Sequence, residues 1–227
     1  GGVSLKPGLN MDQMKFDMCG SAVVFGVMNA IAELQPDINV VAIVPSTHNM
    51  LGGSAYKPGD ILTAYNGKTI EVLNTDAEGR LILADALAYA SKQYDPEYML
   101  DFATLTGAVV VTLGHIATGL MSNNDTLVEN IKVSSDNTGE HVWQLPLWEE
   151  YCDQVKSDVA DVKNLGSPGQ AGTIAGAAFL KAFVGKDIPW AHFDVAGTSY
   201  HVENRSYIQK NSASGQVIRL VLDLLGA

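Results

Sequence analysis

The most informative stretch of this chain is Asn74-Thr75-Asp76-Ala77-Glu78-Gly79-Arg80, which lies where a predicted strand gives way to a predicted helix. Two carboxylates that are two residues apart point to opposite faces of a regular strand. Around a helix the same two positions are about 200° apart. Asp76 and Glu78 therefore converge on one cation only if the backbone bends. Gly79 is expected to permit that bend, because glycine tolerates backbone angles that other residues avoid.

The same stretch has a simpler interpretation as the start of a helix. Thr75-x-x-Glu78 matches a capping box, in which the two side chains bond to each other's backbone amides, and it precedes a helix predicted over residues 81–92. Capping boxes are common and metal sites are not, so these seven residues alone favour the capping box. Both interpretations place the stretch at a helix N-terminus.

Helix and strand patterns alternate along the chain, which predicts an α/β fold. Asn66-Gly67 is the strongest short hairpin signal, so two neighbouring strands are predicted to be antiparallel and the sheet to be mixed. The expected architecture is a three-layer domain with a mixed, mostly parallel central sheet flanked by helices. The predicted strands are 38–45, 61–65, 68–73, 98–103, 117–121 and 190–195. The predicted helices are 18–34 (buried), 81–92, 126–138 (polar surface) and 216–225, and residues 157–173 are expected to be irregular.

Composition limits the kind of protein this is. With 227 residues, of which 47% are hydrophobic and 17% charged, the chain suits one domain over residues 1–227. A formal net charge of −11 disfavours nucleic acid as a partner. No run of eighteen apolar residues occurs, so we expect no membrane span. The two cysteines, Cys19 and Cys152, fit a reducing compartment better than a disulfide scaffold.

Several segments together resemble the leucyl aminopeptidase family of dimetal exopeptidases. The heptapeptide 74–80 is that family's signature. Gly1-Gly2-Val3-Ser4-Leu5-Lys6-Pro7, with 10–12 and 17–20, is similar to its upstream metal and lysine loop. Segments 57–60, 66–69 and 103–108 also match, in order and at similar spacing. The resemblance implies a cytoplasmic metal-dependent aminopeptidase that acts on peptides and assembles as a homohexamer.

The sequence departs from that family at its front. The family completes its dimetal site with a lysine in a Gly-Lys-Gly turn and an aspartate immediately before the Gly-Gly pair, and neither residue is present here. The chain also opens without Met, on Gly1-Gly2 in mid-motif. We therefore expect a missing N-terminal portion that includes the start of the catalytic domain and a separate N-terminal domain. The alternative is a catalytically silent fragment or scaffold that keeps the fold and oligomer contacts without a complete dimetal site.

The resemblance implies that Asp17, Asp76 and Glu78 bind two divalent cations. Glu78 would bind both, Asp76 one, and Asp17 would also contact the terminal amine of the substrate. Taken alone, Asp17 precedes a predicted helix and suits an N-cap. Three crowded carboxylates repel one another unless cations neutralise them. Oxygen ligands by themselves favour Mn²⁺ or Mg²⁺ over Zn²⁺, whereas the family uses Zn²⁺ and Mn²⁺, so Zn²⁺ and Mn²⁺ both stay open.

The resemblance implies catalytic roles for Lys6 and Arg80. Lys6 would face the carbonyl oxygen as it becomes an oxyanion, a role that its compact charge suits; on the residues alone it is a solvated surface lysine. Arg80 opens a helix at its positive end, where a cation is unfavourable and an anion is expected nearby. In the family this arginine holds a bicarbonate that acts as general base. An ordinary salt bridge, for example to Asp85, is the alternative.

By the same resemblance, one set of residues binds the substrate: Met14, Asp17, Thr104, Leu105, Gly107, Ala196 and Ser199. Leu105 would present backbone groups to the peptide, and the others except Asp17 would line the first side-chain pocket. Ser199 stands where mammalian members carry a methionine, so the pocket is expected to be roomier or more polar. Met14 and Leu105 also suit plain core positions. The five histidines show no pairing at ligand spacing, and we interpret them as structural.

Overall fold

The computed structural model describes residues 2–202, 205–209 and 211–227. The chain divides into two compact units, each built from three separate segments. Unit 1 comprises Gly1–Asp12, Pro45–Glu97 and Pro146–Ile188, and unit 2 comprises Gln13–Val44, Tyr98–Leu145 and Pro189–Ala227. The expectation of one domain over residues 1–227 stays a prediction.

The secondary structure alternates as the sequence predicted. The helices of the described residues are α1 (Cys19–Leu34), α2 (Gly79–Gln93), α3 (Gly107–Leu113), α4 (Asp125–Thr138), α5 (Glu149–Asp153), α6 (Gly172–Lys181) and α7 (Ile218–Leu224), with a 3₁₀ helix at Met11–Phe16. The strands are β1 (Ile61–Thr63), β2 (Thr69–Glu71), β3 (Met99–Ala103), β4 (Thr118–Ser122), β5 (Val142–Gln144), β6 (Val162–Lys163) and β7 (Trp190–Asp194). The mixed α/β class is therefore confirmed, with one sheet in each unit.

Unit 1 contains a small three-stranded sheet in the order β1-β2-β6. β1 and β2 are antiparallel and form the predicted hairpin, in which Gly67 adopts a φ of 88° and Asn66 Oδ1 accepts the N–H of Lys68 at 3.1 Å. β6 pairs with β2 in parallel. Helix α6 is almost entirely buried and packs against α2 and α5. The segment after β2 therefore leads from the central strand of this sheet directly into α2.

Unit 2 contains a four-stranded mixed sheet in the order β3-β7-β4-β5. β7 is parallel to β3 and antiparallel to β4, and β4 is parallel to β5. All five residues of β7 are buried, as predicted for a buried strand over residues 190–195. Helices α1 and α4 pack on this sheet, and α7 packs against both of these helices. Because β3 and β7 are parallel neighbours, the loops that follow them emerge at the same edge of the sheet.

Helix α1 is packed on one side only, so the expectation of a fully buried helix is wrong. Gly20, Val23 and Val27 are buried, whereas Phe25 is 62% exposed. A Cβ on Gly20 would lie 2.1 Å from the carbonyl oxygen of Phe102, so this glycine allows α1 to approach β3 closely. Only α7 and β3 make substantial contact with α1 among the described elements, and the opposite face is left uncovered by them.

The prediction of a strand over residues 38–45 is also wrong. These residues form no strand or bridge, and Ile38 and Val41 are 37% and 57% exposed. An apolar run becomes a strand only when a neighbouring strand completes its hydrogen bonds. No described segment pairs with residues 38–45 in this way.

One helical stretch of the described residues, Met11–Leu34, is long and apolar enough by length and composition to cross a membrane. The core helix of a soluble protein and a signal sequence meet the same criterion. Here the stretch is divided between the 3₁₀ helix and α1, and α1 contacts β3 and α7. The expected absence of a membrane span stays a prediction.

Candidate functional site

The loop that joins β2 to α2, residues 72–78, contains most of the signature heptapeptide and is called the motif loop. Asn74 Oδ1 accepts the N–H of Asp76 at 2.8 Å, which tightens the turn locally. Asn164, fully buried and 90 residues away, accepts the N–H of Leu73 at 2.8 Å and donates to the carbonyl oxygen of Asn74 at 2.7 Å. The motif loop is therefore held mainly by one distant amide side chain.

Sequence reasoning missed Asn164. It lies in the stretch 157–173, for which the sequence predicts irregular structure and indicates no functional role. A single asparagine among glycines and prolines carries no local signal of a contact with a loop that is 90 residues earlier in the chain. Its importance is visible only once the backbone groups that it satisfies are known.

The motif loop is also tied to the N-terminal segment by a reciprocal pair of hydrogen bonds. Ser4 N–H donates to Thr75 Oγ1 at 2.8 Å, and Thr75 N–H donates to Ser4 Oγ at 3.1 Å. The capping-box interpretation is wrong, because α2 has Glu78 at its N-cap position with no side-chain cap bond. The Thr75 hydroxyl accepts from Ser4 instead. Gly1, the first residue of the matched upstream segment, lies outside the described residues.

The Ser4 contact brings Lys6 to the motif loop. Lys6 Nζ forms an ion pair with Asp76 Oδ1. Their side chains are 38% and 36% exposed, so solvent screens this pair in part. Lys6 is therefore not simply a solvated surface lysine. Its charge lies beside one of the carboxylates that the sequence analysis singled out.

Glu78 has one satisfied and one unsatisfied carboxylate oxygen. Asn49 Nδ2 donates to Oε1 at 2.8 Å. Oε2 is buried, and no residue in the described part of the chain donates a hydrogen bond to it. A buried carboxylate oxygen without a donor is unfavourable unless a cation or another charge neutralises it. Carboxylate oxygens, the type of donor that Glu78 and Asp76 carry in the motif loop, suit a hard or borderline divalent cation.

Tyr56 reports the negative charge of this region. Its hydroxyl donates to the carbonyl oxygen of Thr75 at 3.3 Å. Burial, together with the charges of Glu78 and Asp76, raises the pKa of Tyr56 to about 12. The raised pKa reflects the negative charge of the nearby carboxylates, and the same charge favours a cation in this region.

Gly79 does not supply the expected bend. Its φ lies outside the left-handed region, and a Cβ built on it would meet no atom within 4 Å. The turn is instead set by the bonds to Asn74 and Asn164. Arg80, next along α2, is 7% exposed, and its Nη1 donates to the carbonyl oxygen of Asn164 at 3.0 Å. Asp85 Oδ1, the suggested alternative partner of Arg80, accepts the N–H of Tyr65 at 2.7 Å.

In unit 2, Asp17 contacts the end of β3. Thr104 Oγ1 lies 2.8 Å from Asp17 Oδ1 and 3.0 Å from the Asp17 carbonyl oxygen. The N-cap interpretation of Asp17 is wrong, because the N-cap of α1 is Met18 and has no side-chain cap bond. The structure thus brings together two of the predicted substrate-binding residues, Asp17 and Thr104.

Two loops of unit 2 carry most of the other predicted substrate residues: the β3 loop, residues 104–106, and the β7 loop, residues 195–199. Asp194 joins them. Its Oδ1 accepts the N–H groups of Leu105 at 3.1 Å and Ala196 at 3.2 Å, and its Oδ2 accepts the Thr106 hydroxyl at 2.7 Å. Burial raises the pKa of the Asp194 carboxyl above its ordinary value. Sequence reasoning missed Asp194, because an aspartate at the end of a predicted strand does not reveal which loops it will contact.

The remaining predicted pocket residues differ in exposure. Met14 is 38% exposed within the 3₁₀ helix, which argues against a core role in the described structure. Gly107 is exposed at the start of α3. Ser199 is 4% exposed, and its hydroxyl donates to the carbonyl oxygen of Ala196 at 3.4 Å. Ser199 therefore belongs to the same loop as Ala196.

No group of three or more His, Cys, Asp or Glu side chains within residues 2–202, 205–209 and 211–227 is arranged to hold a metal ion. Asp76 and Glu78 belong to unit 1, and Asp17 belongs to unit 2. Their convergence stays a prediction. His192 is buried and bonds to Asp101 Oδ1 through Nδ1 at 2.6 Å, which agrees with a structural role.

Comparison with known proteins supports the same interpretation of the motifs. A relative described as a probable cytosol aminopeptidase, from Desulfotalea psychrophila, is 55% identical over 225 residues, which are 99% of this chain and 44% of the relative. Another with that description, from Cenarchaeum symbiosum, is 51% identical over 99% of this chain and 46% of its own length. The chain therefore spans less than half the length of these relatives.

A solved structure of a mutant tomato leucine aminopeptidase matches with a TM-score of 0.84 and 42% sequence identity, covering 94% of this chain and 41% of that one. The model of the cytosol aminopeptidase family's catalytic domain matches residues 1–222. These matches, together with the signature heptapeptide beside Lys6, show that this chain belongs to the cytosol aminopeptidase family.

Proposed function

We propose that this chain is the catalytic part of a metal-dependent aminopeptidase that hydrolyses N-terminal residues, leucine and similar ones, from peptides. The observation that carries the proposal is Glu78, whose buried Oε2 receives no hydrogen bond from the described residues and lies in the same tight loop as Asp76. The family to which the chain belongs supports it. Because the chain spans less than half of its relatives, the activity is proposed for the full-length protein.

Asp76 and Glu78, together with Asp17, would hold two divalent cations, Zn²⁺ or Mn²⁺. When bound, these cations would polarise the scissile carbonyl and lower the pKa of a water molecule so that hydroxide is available at neutral pH. The hydrogen bonds that fix the motif loop would serve this purpose by holding the backbone that carries Asp76 and Glu78. Asn49 leaves one Glu78 oxygen available by bonding only the other.

Lys6 and Arg80 would supply the remaining charges. Lys6 has its ammonium beside Asp76, where it would stabilise negative charge that develops on the substrate carbonyl oxygen. Arg80 is buried near the start of α2, and its guanidinium would hold a bicarbonate ion that accepts a proton. Its bond to the Asn164 carbonyl oxygen fixes the direction of the guanidinium.

The substrate peptide would lie against the β3 and β7 loops. Leu105 would offer backbone groups to the peptide, and Asp17 would bind its terminal amine. The first side chain would contact Met14, Thr104, Gly107, Ala196 and Ser199. The small Ser199 leaves room for a larger or more polar side chain than a methionine would. We further propose a homohexamer that acts in the cytoplasm, as the family resemblance implies.

The test measures both turnover and metal binding in the full-length protein. Glu78→Gln and Asp76→Asn each keep the shape of the side chain and remove a charge. We expect both to abolish cleavage of leucine amide and to weaken Mn²⁺ binding in calorimetry, with an unchanged circular dichroism spectrum. Glu129→Gln, an exposed residue on α4 that pairs with Lys132, is the matched control and should change neither quantity. Undiminished turnover in the Glu78 and Asp76 variants would refute their assignment as metal ligands.

A second candidate is a catalytically silent scaffold that keeps the fold and oligomer contacts. One observation favours it: the described residues contain no complete group of three metal-binding acidic, histidine or cysteine side chains. The same calorimetry separates the two candidates. A scaffold would bind no Mn²⁺ or Zn²⁺ tightly in the full-length protein, whereas the aminopeptidase would bind two ions per chain.

A further inference from the structure

Asp194 is a buried carboxylate to which the proposed chemistry gives no role. It is the last residue of β7 and is 0% exposed. Burying a carboxylate costs more free energy than burying an amide of the same shape, unless donors compensate the charge. Asp194 receives three such donors, and all three come from the loops that follow β3 and β7.

The hydrogen bonds of Asp194 begin where those of the sheet end. The β3–β7 ladder ends at the pair Ala103–Asp194, with one further backbone bond from Val195 N to the Ala103 carbonyl oxygen at 2.9 Å. Beyond this point the two parallel strands separate into loops. The Asp194 carboxylate then accepts one backbone N–H from each loop on the same oxygen, Oδ1.

The second oxygen of Asp194 extends the connection to α3. Oδ2 accepts the Thr106 hydroxyl at 2.7 Å, and Thr106 Oγ1 in turn accepts the N–H of Val109 at 3.2 Å as the N-cap of α3. Thr106 is 8% exposed, so both bonds are shielded from water. One carboxylate thus sets the positions of the β3 loop, the β7 loop and the start of α3 relative to one another.

We propose that Asp194 is a positioning residue that sets the shape of the substrate side-chain pocket by joining the β3 and β7 loops. The inference rests on the proposed function, which assigns Leu105 and Ala196 to substrate binding. Asp194 does not touch the substrate. It acts through the backbone at these two residues, and its loss should therefore change selectivity between substrates as well as stability.

The kinetic test compares two substitutions in the full-length protein. Asp194→Ala removes both acceptors, and Asp194→Asn keeps an oxygen that accepts the Leu105 and Ala196 amides. For Asp194→Ala we expect a higher KM for leucine amide and a kcat/KM lower by about tenfold or more, because the three hydrogen bonds that join the two loops are lost. The preference for leucine amide over alanine amide should shrink. Asp194→Asn should restore most of that preference.

Amide hydrogen exchange provides a readout that needs no peptidase activity. In Asp194→Ala the N–H groups of Leu105 and Ala196 should exchange faster, and in Asp194→Asn they should stay protected. Asp101→Asn is the matched control, because Asp101 is a buried carboxylate of β3 that bonds to His192 and Trp190 and not to the loops. It should lower stability without changing exchange in either loop or the leucine preference.

If Asp194→Ala does not fold, Thr106→Val tests the same connection, since it removes the hydroxyl that donates to Oδ2. Exchange at Leu105 should then rise, and Thr106→Ser should restore protection. Unchanged exchange and unchanged leucine preference in these variants would overturn the positioning role. A wild-type protein without turnover would overturn the proposed function instead, and the exchange measurements would still decide whether Asp194 positions the loops.

Discussion

Replacing Asn164 by alanine tests whether one distant amide holds the motif loop. The side chain makes two short hydrogen bonds to this loop, from Leu73 N–H at 2.8 Å and to the Asn74 carbonyl oxygen at 2.7 Å. Two longer contacts reach Asn74 N and the Ala77 carbonyl oxygen, each at 3.4 Å. Alanine removes all four, and the partly buried backbone groups of the motif loop lose a partner that is itself fully buried.

The expected cost follows from the two short bonds. Leaving a buried backbone donor or acceptor unsatisfied costs about 1–3 kcal/mol each. Asn164→Ala should therefore lower the free energy of unfolding by about 2–6 kcal/mol, with the lower value applying where water enters the space left by the amide. The longer contacts are weak by their distance and add little.

The assay is urea unfolding of the full-length protein, followed by Mn²⁺ calorimetry. Asn137→Ala is the matched control, because Asn137 is exposed on α4 and donates a single hydrogen bond to Asp223 Oδ2 at 3.1 Å. It should change stability by no more than about 0.5 kcal/mol. Mn²⁺ affinity should fall in Asn164→Ala, since the backbone of the motif loop, which carries Asp76 and Glu78, is no longer fixed. Equal stability of the two variants, with equal Mn²⁺ affinity, would refute the reasoning.

Three further predictions concern packing, pH and metal. Gly20→Ala should destabilise the protein strongly, because the new Cβ would lie 2.1 Å from a backbone oxygen of β3. Gly79→Ala should be tolerated, because its Cβ would meet no atom within 4 Å. Thermal unfolding compares the two variants, and equal melting temperatures would contradict the packing of α1 on β3. Burial raises the pKa of Asp194, so its contribution to stability is complete below its ordinary value of 3.8 and is lost as pH rises through the folded-state pKa. As pH rises through this range, the urea midpoint of the wild-type protein should therefore fall relative to that of Asp194→Asn. A difference in midpoint that does not change with pH would count against the raised pKa of Asp194. Mn²⁺ at a hundredfold excess over its Kd should stabilise the full-length protein by about 2.7 kcal/mol, and chelation or Glu78→Gln should remove the gain in differential scanning calorimetry.

Much of the fold follows from local patterns. The hairpin at Asn66-Gly67 and the buried strand β7 form as predicted, because their signals lie within a few consecutive residues. Helix α6 was missed because it is apolar on every side, which leaves no periodicity to detect. Residues 38–45 were assigned as a strand on composition alone. A strand also needs a partner, and composition does not reveal one.

The candidate site was predictable only in part. Asp76, Glu78 and Lys6 were identified from short motifs whose residue types are unusual. Asn164 and Asp194 were not, because each contacts at least one backbone group that lies about ninety residues away in the sequence. An ordinary asparagine or a single aspartate at a strand end gives no measure of what it will contact. Those roles require the tertiary fold.

The attachments of the motif loop have a consequence for the order of folding. Lys6 reaches Asp76 across 70 residues, Ser4 reaches Thr75 across 71, and Asn164 reaches Asn74 across 90. Closing such long loops costs chain entropy before any contact is gained. The hairpin β1–β2 and helix α2 need only local contacts and should form early. The hydrogen bonds that fix the motif loop should therefore form late, after Asn164 has been synthesised. Nascent chains interrupted before that residue would contain the signature sequence without the folded motif loop.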